Sequence, residues 1–241
     1  MDNSDKQWKY IYKAGAITTI IVLCGIIIDM IVGSVTGGDV AALNQTAVER
    51  FNQFKDNQLL GLYIHDLLNT IIQIIFIPSI FAIYGAHRKV KNAPALLALI
   101  LFLFGTTIFV TSNTALTMLD LSHKYFAAVS EEQRLLLAAA GEAMLAKGAH
   151  GSLGVFIGFA MIPFANALMS CVMLNGNVFS RTNSYIGIAG NSLMIIYVVL
   201  VTFIPDVKQL ALVFAMPAGI LVMVWMIMFT RKLFKMSRIE E

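Results

Sequence analysis

Six apolar stretches, each long enough to cross a bilayer, divide this chain and constrain its fold before any motif is read. A membrane span needs about 20 largely apolar residues. Runs of that length lie at about 14–35, 60–85, 94–119, 152–174, 185–204 and 210–230. They predict one all-α domain over residues 1–241: an integral membrane bundle of six transmembrane helices. Charged residues make up only 13% of the chain, against about 25% in soluble domains, and mean hydropathy is +0.77. The sequence therefore excludes a soluble enzyme, and the lipid bilayer is the first partner it implies.

The basic residues set a topology. Lys6, Lys9 and Lys13 precede the first span, Arg88, Lys89 and Lys91 separate spans two and three, and Arg181 lies between spans four and five. Arg231, Lys232, Lys235 and Arg238 follow the sixth. Of the 17 Lys and Arg, 11 thus fall beside span ends on one side. By the positive-inside rule that side, with both termini, is cytoplasmic. The net charge of +3 follows from this topology and does not point to nucleic acid. The first span is too long for a cleavable signal and no small-residue cleavage site follows it. Leu23 before Cys24 does not suit a lipid-anchor signal, and Cys24 and Cys171 read as packing residues.

Two of the outer connections read as amphipathic helices. Asp39 can cap one that aligns Val40, Leu43, Ala47, Val48, Phe51 and Phe54 at helical spacing. In the other, Ser130-Glu131-Glu132-Gln133 fits a capping box, and Gly148 ends the helix. Such helices lie in the headgroup region or lid a cavity. An order of outward span, amphipathic helix and returning span occurs twice in the first four spans. Asp29 and His65 recur in it as Asp120 and His150, a loose duplication. Gly154-x-x-x-Gly158, with Gly151, Gly187 and Gly190, suits close helix contact within the fold and, less readily, an oligomer through glycine-rich spans.

Ionisable residues inside a span are costly unless they pair or face water. At about 100° per residue, His65, Asp66, Asn69 and Gln73 of span two share an arc of about 100°, and Thr106, Asn113, Thr117 and Asp120 of span three an arc of about 60°. The two stripes are expected to meet, joined by Asp29, in a polar pocket that opens outward and is closed below. The pocket set is Asp29, His65, Asp66, Asn69, Gln73, Asn113 and Asp120. Three readings compete for it. The first is a site for a small molecule, lipid or ion, with proton coupling through buried Asp and His. The second is a zinc-dependent membrane hydrolase with His65, Asp120, Asp29 and His150 as ligands and Asp66 or His123 beside them. No paired-His motif supports it. The third is a structural or regulatory subunit whose polar network satisfies itself. No Gly-rich phosphate loop, nucleophile elbow or Cys-x-x-Cys is present, so any chemistry belongs to the bundle.

The run Leu67–Pro78, with Asn113-Thr114-Ala115-Leu116, Ala139-Ala140-Gly141-Glu142-Ala143 and Ala215-Met216-Pro217-Ala218-Gly219, resembles the bacterial membrane family catalogued as domain of unknown function 4386. The resemblance runs from about Tyr12 to Phe234. It implies a bacterial multi-pass inner-membrane protein and transfers no activity or catalytic residue.

Overall fold

The computed structural model describes residues 3–35, 46–204 and 207–238. Among the described residues there are ten helices and no strand: α1 (Asn3–Val35), α2 (Ala47–Asp56), α3 (Gln58–Ile64), α4 (Leu67–His87), α5 (Asn92–Ser112), α6 (Ala115–Ala127), α7 (Glu131–Gly148), α8 (Leu153–Gly176), α9 (Arg181–Phe203) and α10 (Lys208–Arg238). Six stretches, carried by α1, α4, α5, α8, α9 and α10, are long and apolar enough to cross a membrane. Many of their large apolar side chains stay exposed on the outside of the bundle, among them Ile20, Ile27 and Ile31 of α1 and Leu97, Ile100 and Phe104 of α5. On helices of this length, a surface this apolar fits contact with lipid. The chain is a multi-pass membrane protein.

The six long helices close a ring in chain order, α1 to α4, α5, α8, α9, α10 and back to α1. Phe76, Phe102 and Phe229 fill its middle, with ring centroids 5.7 and 6.4 Å from Phe76, and Trp225 packs on Phe229 at 4.8 Å. Small residues let backbones approach where no hydrophobic drive acts between helices in lipid. Gly15 of α1 faces Ala82 and Ser79 of α4, and the Ser79 hydroxyl donates to the Gly15 carbonyl at 3.1 Å. Gly154 and Gly158 of α8 face Ser112 and Phe109 of α5, and Gly190 of α9 faces Leu221 and Val222 of α10. The glycine motifs thus serve contacts within the chain.

A Cβ at Gly158 would lie 2.9 Å from the backbone N and Cα of Phe109, atoms that cannot swing aside. Gly158→Leu is expected to cost about 1–3 kcal/mol, the usual toll of overpacking. Gly151→Ala, with nothing within 4 Å of the new Cβ, is the near-neutral control. Melting temperatures in detergent check both, and equal values would contradict this packing account.

At one end of the ring a second, smaller core gathers α2, α3, α6 and α7 into a cap. Phe51 is fully buried there, stacked obliquely on Tyr125 at 5.3 Å and pressed against Gly141 of α7. The Ser122 hydroxyl donates to the Phe51 carbonyl at 3.1 Å. Glu142 reaches across from α7 to accept from the Ala47 N–H at 2.7 Å, supplying a carboxylate where the α2 N-terminus has unpaired donors. The amphipathic helices of these two connections therefore pack on each other and on extensions of spans two and three.

Their boundaries differ from the sequence reading. α2 starts at Ala47, where Thr46 and Glu49 form a reciprocal capping box. The expected cap at Asp39, with Val40 and Leu43, lies outside the described residues. Ser130 caps α7 as expected, accepting from the Gln133 N–H at 3.2 Å, but the Gln133 side chain accepts from Val129 and not from Ser130. The larger correction concerns spans two and three. Each was expected as one continuous helix, and each is broken, at His65–Asp66 and at Asn113–Thr114.

Candidate functional site

The two breaks face each other where the bundle meets the cap. Asp66 has φ 63° and ψ 26°, a left-handed conformation that side chains other than glycine resist unless a short polar group bonds locally. Asp66 meets that condition: its Oδ1 accepts from Asn69 Nδ2 at 2.7 Å. Its N–H donates to the Tyr63 carbonyl at the end of α3, and its own carbonyl accepts from the Thr70 N–H and hydroxyl to open α4. The His65 carbonyl is displaced from the helical ladder by this turn. Asn113 Nδ2 donates to it at 2.9 Å. The same Asn113 side chain accepts from the Ala115 N–H at 3.0 Å, so one amide covers loose backbone groups at both breaks. Breaks of this kind free backbone groups that other protein groups, water or a ligand must satisfy.

Around this joint the polar groups divide in two. On the α1 side, Tyr63 donates to the Asp29 carbonyl at 3.0 Å, and the Asp29 and Asp66 carboxylates are close enough to act on each other. Tyr197 of α9 is also within electrostatic reach of Asp66. On the cap side the His65 ring stacks on Phe54, with centroids 5.2 Å apart and planes inclined by 8°. Arg50 of α2 is buried nearby and its Nη1 donates to Gln53. Three buried atoms here have no hydrogen-bond partner: His65 Nε2, Arg50 Nε and, two turns into α4, Gln73 Oε1. Such atoms are rare in folded proteins and call for a water or a ligand.

His65 and Asp66 lie ahead of the membrane-crossing stretch, which begins at Leu67. Burial pushes Asp66 up to about 6; the Asn69 bond opposes this and the Asp29 charge adds to it. Burial, then the Arg50 charge, pushes His65 down to about 4. Burial and the two carboxylates push Tyr63 up to about 12. Between pH 4 and 6 the neutral forms of His65 and Asp66 are favoured.

The expected pocket residues do not all converge. Asp66, Asn69 and Asn113 join the hydrogen bonds of the breaks, Asp29 borders them, His65 contributes both its carbonyl and its ring, and Gln73 lies two turns into α4 with its oxygen unpartnered. Asp120 does not belong. It is solvent-exposed on α6 and pairs with Lys124 at 2.6 Å. The break at Asn113 resets the helical phase, so Thr106 stays buried on α5 while Thr117 and Asp120 turn outward. His150 sits in the α7–α8 turn with its ring against Phe159, and His123 is exposed on α6. His65, Asp120, Asp29 and His150 are therefore not gathered, and among the described residues no three His, Cys, Asp or Glu are placed to hold a metal ion. Two clefts lie elsewhere: one of about 520 Å³ beside Arg231, Lys235 and Arg238, and one of about 470 Å³ between Lys124 and Leu137.

Set against family models, curated proteins and solved structures, the chain matches none.

The function of the joint thus rests on its own residues, three of which a search for polar stripes passes over. Tyr63 and Tyr197 are hidden because aromatic residues near span ends read as interfacial anchors. Arg50 is hidden because a lone Arg in an outer loop reads as solvated, although its place one turn before Phe54 on the apolar face of α2 is a visible signal.

Proposed function

We propose that this is a bacterial inner-membrane protein of the family catalogued as domain of unknown function 4386, with both termini cytoplasmic, and that it binds a small cationic or hydrogen-bond-donating molecule at the paired helix breaks. The observation that carries the binding reading is the left-handed Asp66 at the helix break, its carboxyl bonded to Asn69 and within electrostatic reach of the Asp29 carboxylate. Acceptors dominate this side of the joint: the Asp66 and Asp29 carboxylates. A cation placed between two nearby carboxylates relieves their mutual repulsion. A ligand with N–H or ammonium donors complements that set, whereas an anion would meet like charge.

Thermal-shift screening of the detergent-purified protein against small amines, polyols and monovalent cations tests the proposal. At least one should raise the melting temperature of the wild type and of Asp120→Asn, which alters only an exposed pair. The shift should vanish in Asp66→Asn, which keeps the side-chain size and the bond to Asn69 but lacks the charge. A shift of equal size in Asp66→Asn would place binding elsewhere.

A further inference from the structure

We propose that the opposite end of the molecule holds a site for one anionic phospholipid, its phosphate in the cleft beside Arg231, Lys235 and Arg238 and an acyl chain along the outer face of α10. This inference is independent of the reading given to the helix breaks. The cleft encloses about 520 Å³ and is lined by Arg231, Phe234, Lys235 and Arg238, three cations and one apolar ring. None of the three cations forms an ion pair among the described residues. Arg88, at the same end of the bundle, is engaged differently: its guanidinium lies 4.4 Å over the Trp8 ring and donates to the Tyr12 hydroxyl and the Gly85 carbonyl. A cation held in that way is committed to the fold, and among the described residues Arg231, Lys235 and Arg238 have no such engagement.

The helix carrying the cleft also supplies a path for an acyl chain. At about 100° per residue, Ile220, Val224, Ile227, Arg231, Phe234, Lys235 and Arg238 share an arc of about 100°. Ile220, Val224 and Ile227 are exposed. One stripe of α10 is therefore apolar and then basic. From Ile220 to Arg231 it rises about 16 Å, close to half the roughly 30 Å hydrocarbon thickness of a bilayer. That is the depth of one leaflet, so the cations sit where a phosphate at the leaflet surface would sit. Basic clusters directly beyond a membrane helix are the usual device for recognising anionic head groups. A free phosphate has the same head chemistry but would leave the apolar stripe unused, which favours the lipid.

The test uses the full-length protein in neutral detergent. Short-chain phosphatidylglycerol, the matching phosphatidylcholine and inorganic phosphate are titrated against melting temperature, and retained lipid is counted by native mass spectrometry. Phosphatidylglycerol should stabilise the protein and remain as one bound copy, and the other two should not. R231Q/K235Q/R238Q should weaken phosphatidylglycerol binding about fivefold per charge, roughly a hundredfold in all. All three side chains are exposed, so the variant is expected to fold; if it does not, R231Q and R238Q singly carry the same comparison at about fivefold each. Val224→Ser should weaken lipid binding with the cations intact. Unchanged affinity in the charge variants, equal binding of phosphatidylcholine, or a full effect from inorganic phosphate alone would each overturn the proposal.

Discussion

Asp66→Gly is expected to melt at or above the wild-type temperature and to lose ligand binding at the helix breaks entirely. Glycine takes φ 63° without strain, whereas an L residue there gives up about 1–2 kcal/mol, somewhat less for aspartate. The substitution also removes a carboxyl that is costly to bury in its charged form. Against this stands the lost bond to Asn69, worth about 1 kcal/mol. The balance is near zero or favourable. Asp66→Val is the opposite case, because a β-branched side chain in this conformation is a steric outlier, and it should destabilise by several kcal/mol. A left-handed aspartate that glycine could replace at little cost to the fold is best explained by what its carboxylate binds. Thermal unfolding with and without the ligand found by screening measures both parts. A strong loss of stability in Asp66→Gly would instead make the carboxylate a structural element of the joint.

The sequence shows most of the architecture and little of the joint. Six apolar runs locate the long helices because bilayer thickness imposes a length, and the capping residues Ser130 and, at a shifted position, Thr46 mark the cap helices. The stripes of spans two and three failed for one physical reason: a helical wheel assumes unbroken phase. Neither break carries glycine or proline. The break at Asp66 depends on a side chain bonding to Asn69 one turn ahead, and the break at Asn113 on a contact with a carbonyl 48 residues earlier in the chain. The available signal was local and weak, a pair of short polar residues interrupting each apolar run, His65-Asp66 and Asn113-Thr114. Such side chains compete with the helical ladder for backbone groups. Asp120 was assigned to the pocket only because the phase was carried through the second break.

The opposed titrations of His65 and Asp66 make a prediction about acid stability that neither group makes alone. Asp66 is raised from 3.8 to about 6, so its contribution is full below pH 3.8 and falls as pH rises toward 6. His65 is lowered from 6.5 to about 4, so its contribution is full above pH 6.5 and falls as pH drops toward 4. Across the shared window the folded pair holds one proton, on Asp66, and the unfolded pair also holds one, on His65. The two slopes cancel, and this site adds almost no pH dependence between 4 and 6. Asp66→Asn should uncover the His65 slope, with stability relative to wild type falling by roughly 3 kcal/mol from pH 6.5 to 4. His65→Gln should uncover the other, with relative stability falling by a similar amount as pH rises from 3.8 to 6. Taking differences from the wild type removes the titrations of the remaining groups. The charge state bears on binding as well. A cation that requires ionised Asp66 should gain about tenfold in affinity per pH unit up to 6 and then level off. Difference curves that tilt the same way in both variants, or an affinity indifferent to pH, would show that the carboxyl and the imidazole do not share the joint in the way their burial dictates.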